Sequence, residues 1–251
     1  MDFFWNTVET VDRGKCDGFS HFDASHMGWL VVFLCFAFIC TIIYLKDGRA
    51  RKHIRRAFAI LMIADEIMKY IIVAVNGISI LAYLPLQLCS VSVIIVILHG
   101  IFAPTRGYQS LFTRHVGNFL YLIGLPAGLS ALLFPAWTAL PAFANLMSIH
   151  SFSVHIMLVT YIIMLIVANE IRPELKTVPV NICALIAMAM GVYLFDVRFG
   201  MNYMYLVHIS PASPLEIFAE LGDYRIGYAV VLAALVLVMY GLPALLRRGR
   251  R

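Results

Sequence analysis

The chain has 251 residues, of which 62% are hydrophobic and only 13% charged, with a mean hydropathy of +0.87 and a formal net charge of +5. A soluble domain is about half apolar and about a quarter charged, so this composition excludes a soluble globular fold. It leaves one integral membrane domain, residues 1–251, with no stretch polar enough to form a second domain.

The first apolar run starts near Met27, too late and with the wrong flank for a cleaved signal peptide. It predicts a span over residues 28–45, and further runs predict spans over 57–75, 80–98, 116–134, 150–168, 178–196 and 226–246. Helices are expected because backbone amides in lipid must be bonded within their own segment, and about 20 residues cross the hydrocarbon core. The first loop, Lys46 to Arg56, carries six Lys/Arg. The second span holds three ionisable residues, Asp65, Glu66 and Lys69, where Lys69 is spaced to neutralise both carboxylates partly. These form either an internal ion pair or the floor of a polar site.

The third span opens Leu84-Pro85-Leu86-Gln87-Leu88-Cys89-Ser90, with Ser92 following, and Pro85 removes a helical donor there. Residues 135–149 carry no charge and are expected to pack on the protein or the membrane. The fifth span opens His150-Ser151-Phe152-Ser153-Val154-His155, with Ser151 and His155 one turn apart. After the sixth span come Asp196, Gly200-Met201-Asn202-Tyr203-Met204-Tyr205-Leu206 and His208. The segment 197–225, with Pro211, Pro214, Glu216, Glu220, Asp223 and Arg225, suits a short helix lying at the membrane surface.

Seven spans put the first, third and fifth loops and the C-terminal tail on one side, with fourteen Lys/Arg against four on the other. The positive-inside rule then sets the C-terminus in the cytoplasm and the N-terminus outside. The basic balance is thus topological and implies no nucleic-acid partner. The fold class is all-α, a polytopic bundle; in a bacterium it sits in the plasma membrane. In this topology Cys89, His155, Asn202 and Tyr203 lie at similar depth towards the outer side, which predicts a shared outward-facing cavity.

Single polar residues have bland readings: a membrane cysteine is usually a small packing residue, and a lone histidine a helix–helix hydrogen bond. The five cysteines are too few and too unevenly spaced for a disulfide framework. A metal site from His150, His155, His208 and Cys89 is disfavoured, because His150 and His155 miss one-turn spacing; no metal or cofactor is expected.

Leu84-Pro85-Leu86-Gln87-Leu88-Cys89 resembles the LPLHLC motif of the YwaF-like integral membrane proteins, with Gln87 in place of the usual His. Gly200-Met201-Asn202-Tyr203-Met204-Tyr205-Leu206 resembles that family's GxNYMxL motif, and Phe152 to His155 its aromatic-then-HG segment, with Ile156 in place of the Gly. The family includes a mammalian lipid acyltransferase whose motif cysteine is implicated in acyl transfer. The resemblance therefore implies a membrane acyltransferase acting on a phospholipid or another acyl lipid, with Cys89 as nucleophile and His155 as base. Glu66, Gln87, Asn202 and Tyr203 would then contact substrate, Asn202 or Tyr203 donating to an oxyanion. The alternative is a non-catalytic lipid or solute binder or transporter using the same cavity, though no inverted repeat is visible.

Overall fold

In a computed structural model the described residues are 3–12, 14–103, 111–209, 218 and 223–241, and among them there are helices and turns but no strand. The helices are α1 (Ala24–Lys46), α2 (Arg51–Val75), α3 (Leu88–Phe102), α4 (Leu111–Phe119), α5 (Leu125–Leu133), α6 (Leu146–Val167), α7 (Val178–Phe199) and α8 (Arg225–Val236). A π-helical stretch, Leu120–Gly124, joins α4 and α5 into one rod, and a second, Leu237–Gly241, extends α8. Seven rods result. Four segments are long and apolar enough to cross a membrane: Ala24–Lys46, Thr113–Leu133, Leu146–Val167 and Leu175–Phe199. Leu88–Phe102 and Arg225–Gly241 are apolar but shorter, and α2 is long but carries charge along its length.

Local chemistry sets the ends of these rods. Asp23 caps α1 by accepting the His26 amide at 2.8 Å, and Asn145 caps α6 by accepting the Ser148 amide at 3.0 Å. Gly200, at φ 68°, supplies the left-handed residue that closes α7. The third span differs most from the sequence reading of 80–98. Proline disfavours a helical conformation in the residue before it, and Leu84 is extended (φ −59°, ψ 149°). Residues Ile80–Tyr83 therefore form a separate 3-10 turn, and α3 starts only at Leu88. α2 instead begins earlier than 57, at Arg51, because basic residues are good helix formers that a hydropathy window misses.

α6 is the central rod. Phe152, Leu158, Val159, Tyr161, Ile162, Met164 and Leu165 are fully buried on it, and α1, α2, α3 and α5 pack around it. Gly100 of α3 lets that helix approach α2, since a Cβ there would stand 2.7 Å from the Arg55 carbonyl oxygen. The outer faces of α1 (Val31, Leu34, Phe38, Ile39, Ile43) and α7 (Val180, Ile186, Met190, Leu194, Val197) are exposed and apolar, as lipid contact requires.

The two ends of the bundle differ. At one, Glu170 accepts from Tyr44 and Arg55, both at 2.9 Å, and Asn118 ties the start of the α4 rod to Arg172 and Glu174. At the other, Asn145 donates to the Phe3 and Asn6 carbonyls, Asn76 to Trp5, and Tyr83 to Glu9 at 2.7 Å. Residues 135–149 pack on the protein at this second end: Trp29 donates to the Ala142 carbonyl at 3.0 Å, and Phe19 to that of Thr138 at 2.9 Å. Of the surface-helix expectation, Pro211, Pro214, Glu216 and Glu220 lie outside the described residues, as do Arg13, Arg106 and the Arg247–Arg251 tail. Asp223 and Arg225 are described and pair at 3.0 Å.

Candidate functional site

A cavity of about 270 Å³ lies towards the N-terminal-segment end, between α2, the start of α3 and the start of α6. Its wall includes Glu66, Gln87, Cys89, His150, His155 and Tyr203. That is slightly below the usual range for small-molecule sites, about 300–1,000 Å³.

Cys89 is the second residue of α3, in its first turn. Its side chain and that of His155 are neighbours in the wall of the cavity. The His155 Nδ1 faces the carbonyl oxygen of Ser151, one turn earlier on α6. A carbonyl can only accept, so Nδ1 carries the proton and the lone pair stays on Nε2. The Trp137 indole stacks on the imidazole at 5.7 Å between centroids and 11° between planes, fixing the ring's tilt.

Gln87 and Tyr203 line the cavity but are also engaged with backbone. Gln87 Oε1 accepts the Met204 amide at 2.9 Å. The Tyr203 hydroxyl accepts the Leu84 amide at 2.9 Å and donates to the Leu81 carbonyl, so the two motif segments are tied together. Burial first, and then the nearby Asp196 carboxylate, hold the Tyr203 phenol above its ordinary range against the opposing Leu84 bond. Asn202 does not line the cavity. Its Oδ1 accepts the amides of Val207 (3.1 Å) and His208 (3.0 Å), and its Nδ2 donates to the His208 carbonyl at 2.9 Å. Asn202 therefore shapes the 202–208 loop.

Spacing along α2 gave Lys69 both carboxylates, but the structure divides them. Lys69 pairs with Glu66, while Asp65 Oδ2 stands 2.8 Å from His150 Nδ1 on α6. That pairing and the Trp137 stack were not legible in sequence, because each joins residues from different segments. Their only signals were two carboxylates sharing one lysine on α2 and an aromatic in an uncharged loop. Among the described residues no three His, Cys, Asp or Glu side chains gather as metal ligands.

Apolar rods around a charged, thiol-bearing cavity define a helical membrane protein. The chain belongs to the TMEM164 family, a transmembrane protein family whose model matches residues 19–241. The YwaF-like name and its motifs stay a resemblance beside that result. No curated protein matches the chain, and no solved structure does.

Proposed function

We propose that the protein is a polytopic membrane acyltransferase that carries an acyl chain as a thioester on Cys89, with His155 as the base. The observation that carries this reading is the His155 tautomer: Nδ1 is held by the Ser151 carbonyl, which leaves the lone pair on Nε2 in a cavity that Cys89 also lines. A thiolate is the competent nucleophile, and a fixed neighbouring imidazole generates it. Cys89 also sits at the positive end of the α3 dipole. Gln87 makes no side-chain cap there, so the first-turn amides of α3 can donate to a developing oxyanion. This takes over the role expected of Asn202 and Tyr203, whose polar atoms are engaged elsewhere.

In this reading all seven rods cross the membrane, with the N-terminus outside and the C-terminus cytoplasmic. The fourteen-to-four division of Lys and Arg supports that orientation. The cavity then opens in the outer half, and a phospholipid or other acyl lipid is the donor. Sulfur attacks the ester carbonyl while His155 takes the thiol proton. The lipid oxygen leaves with that proton, and an acceptor resolves the thioester.

The test is mass spectrometry of the purified protein incubated with phospholipids. An acyl adduct on Cys89, cleaved by neutral hydroxylamine, is expected. His155→Ala should slow its formation about 10²–10⁴-fold, the usual worth of a general base. The competing reading, a non-catalytic lipid or solute binder, draws on the Glu66–Lys69 pair in the cavity wall. It requires no adduct and an innocuous Cys89→Ala; full lipid turnover by Cys89→Ala removes the nucleophile and this function with it.

A further inference from the structure

α3 has 15 residues, a length of about 22 Å by the helical rise, and a hydrocarbon core is about 30 Å thick. In the seven-rod reading the chain before α3 makes up the difference, and it does so without an α-helix. Ile80–Tyr83 is a 3-10 turn, and Leu84 and Gln87 are extended. One face of this segment is apolar and open, with Ile80 54% and Leu81 39% exposed. Ala82, Tyr83, Leu84 and Gln87 line the Cys89 cavity, as does Tyr203. A single non-helical layer thus stands between the cavity and lipid, where backbone polar groups must find partners within the protein.

The turn after α7 supplies those partners. The Tyr203 hydroxyl serves Leu81 and Leu84, and the Met204 amide donates to Gln87 Oε1 at 2.9 Å. That turn is itself strained. Met204 and Tyr205 both have φ 53°, a left-handed conformation that bulky L residues rarely hold. Such a pair persists only where its surroundings over-determine it. Here the restraint comes from α8. Tyr228 donates to the Met204 and Tyr205 carbonyls at 3.1 and 3.2 Å, and Tyr224 to that of Tyr205 at 3.0 Å. α8 is peripheral, with Gly227 its one buried residue among those described.

We infer that this turn is a strained latch and the 80–87 segment a side door, through which a bilayer-borne ligand reaches the cavity. When α8 shifts and its two tyrosines let go, Met204 and Tyr205 relax to negative φ. The turn then withdraws the Tyr203 and Gln87 ties, and the segment before α3 is free to swing outward. Strain works for opening and the tyrosine hydroxyls for closure. Each left-handed residue weighs about 5–30-fold in such an equilibrium. Each hydrogen bond weighs about 2–10-fold against it, so neither state is locked. The latch concerns access rather than chemistry, so it stands or falls apart from the thioester reading.

The experiment uses the full chain in lipid nanodiscs, without the exposed Cys35 and Cys183. A long-chain N-alkylmaleimide dissolved in the bilayer and a charged, water-soluble maleimide are reacted with it separately, and Cys89 adducts are followed by peptide mass spectrometry. Tyr228→Phe, which weakens the clasp, should raise the alkylmaleimide rate about threefold to tenfold. Met204→Gly, which holds a positive φ without strain, should lower it by about the same factor. The double variant should return to within about twofold of wild type, because the two effects oppose one another. Met204→Asn should act like Met204→Gly, since Asn also tolerates the left-handed region, and it separates relief of strain from loss of the side chain. The charged reagent should keep its wild-type rate throughout. An unchanged alkylmaleimide rate in either single variant overturns the latch, as does a shift of both in one direction or opposite responses from the two Met204 variants. Equal shifts with the charged reagent overturn the lateral route. The expected pattern in a protein that never carries a thioester would sink the nucleophile reading and leave the latch standing.

Discussion

Tyr203→Phe removes one oxygen and keeps the ring, which is 4% exposed and packs near Phe195. That oxygen serves the Leu84 amide and the Leu81 carbonyl. An unpartnered buried donor or acceptor costs about 1–3 kcal/mol. Leu81 is 39% exposed, so water can reach its carbonyl and most of that cost lapses. The Leu84 amide is less accessible and carries the larger share, which gives about 1–2 kcal/mol in total. For a chain of this length, each kcal/mol moves the melting temperature by about 2–4 °C, so a fall of roughly 2–8 °C is expected. Gln87 still holds the Met204 amide, so the segment before α3 loosens without detaching. Thioester loading should drop by about tenfold, in line with 1.4 kcal/mol of lost positioning at the first turn of α3. Differential scanning fluorimetry in detergent reads the stability, and maleimide reaction at Cys89 reads the positioning. The maleimide assay needs a background without the exposed Cys35 and Cys183. An unchanged melting temperature with activity lost more than about 10²-fold would falsify this reasoning, because the hydroxyl would then act on substrate.

Two further outcomes follow from the two ends of the bundle. Glu170→Ala takes the shared acceptor from Tyr44, Arg51 and Arg55, and Arg55 is 95% buried by its 5% side-chain exposure. Breaking such a buried pair costs about 3–5 kcal/mol, reduced here by the 24% exposure of Glu170, so a clear loss of melting temperature is expected; no change would show that the pair is solvent-like. Asn202→Ala should make the 202–208 backbone exchange amide hydrogens faster while leaving Cys89 acylation within about threefold. Loss of acylation with unaltered exchange would return Asn202 to the substrate.

Hydropathy read the rods well because lipid imposes one requirement on every long apolar run. It failed where a residue answers to something other than lipid. Arg51 and Arg55 extend α2 beyond its apolar part because Glu170 receives them, and Pro85 cuts the run that was to start at residue 80. Cys89 and His155 could be matched by depth alone, since topology fixes depth. Gln87 and Tyr203 could not be assigned their backbone partners, which lie 117 to 122 residues away in sequence. Asp65 was misread for the same reason: helical spacing sees Lys69, four residues on, but not a histidine on another rod.

The ties around the cavity also fix an order of assembly. His155 gains its orientation from Ser151 on its own helix, so the imidazole is set as soon as that turn of α6 forms. The N-terminal segment must wait for Asn145 to be synthesised before Phe3 and Asn6 find their partner. The Leu84–Gln87 segment waits longer still, for Tyr203 and Met204 beyond α7. At the pace of translation, about 5–20 residues per second, this delay is of the order of 6–24 seconds. Through that interval α3 can pack on α2, but the segment that leads into it lacks these ties. Synthesis that stalls before residue 203 therefore leaves the segment that leads into α3, and with it the Cys89 side of the cavity, without the two ties that fix it.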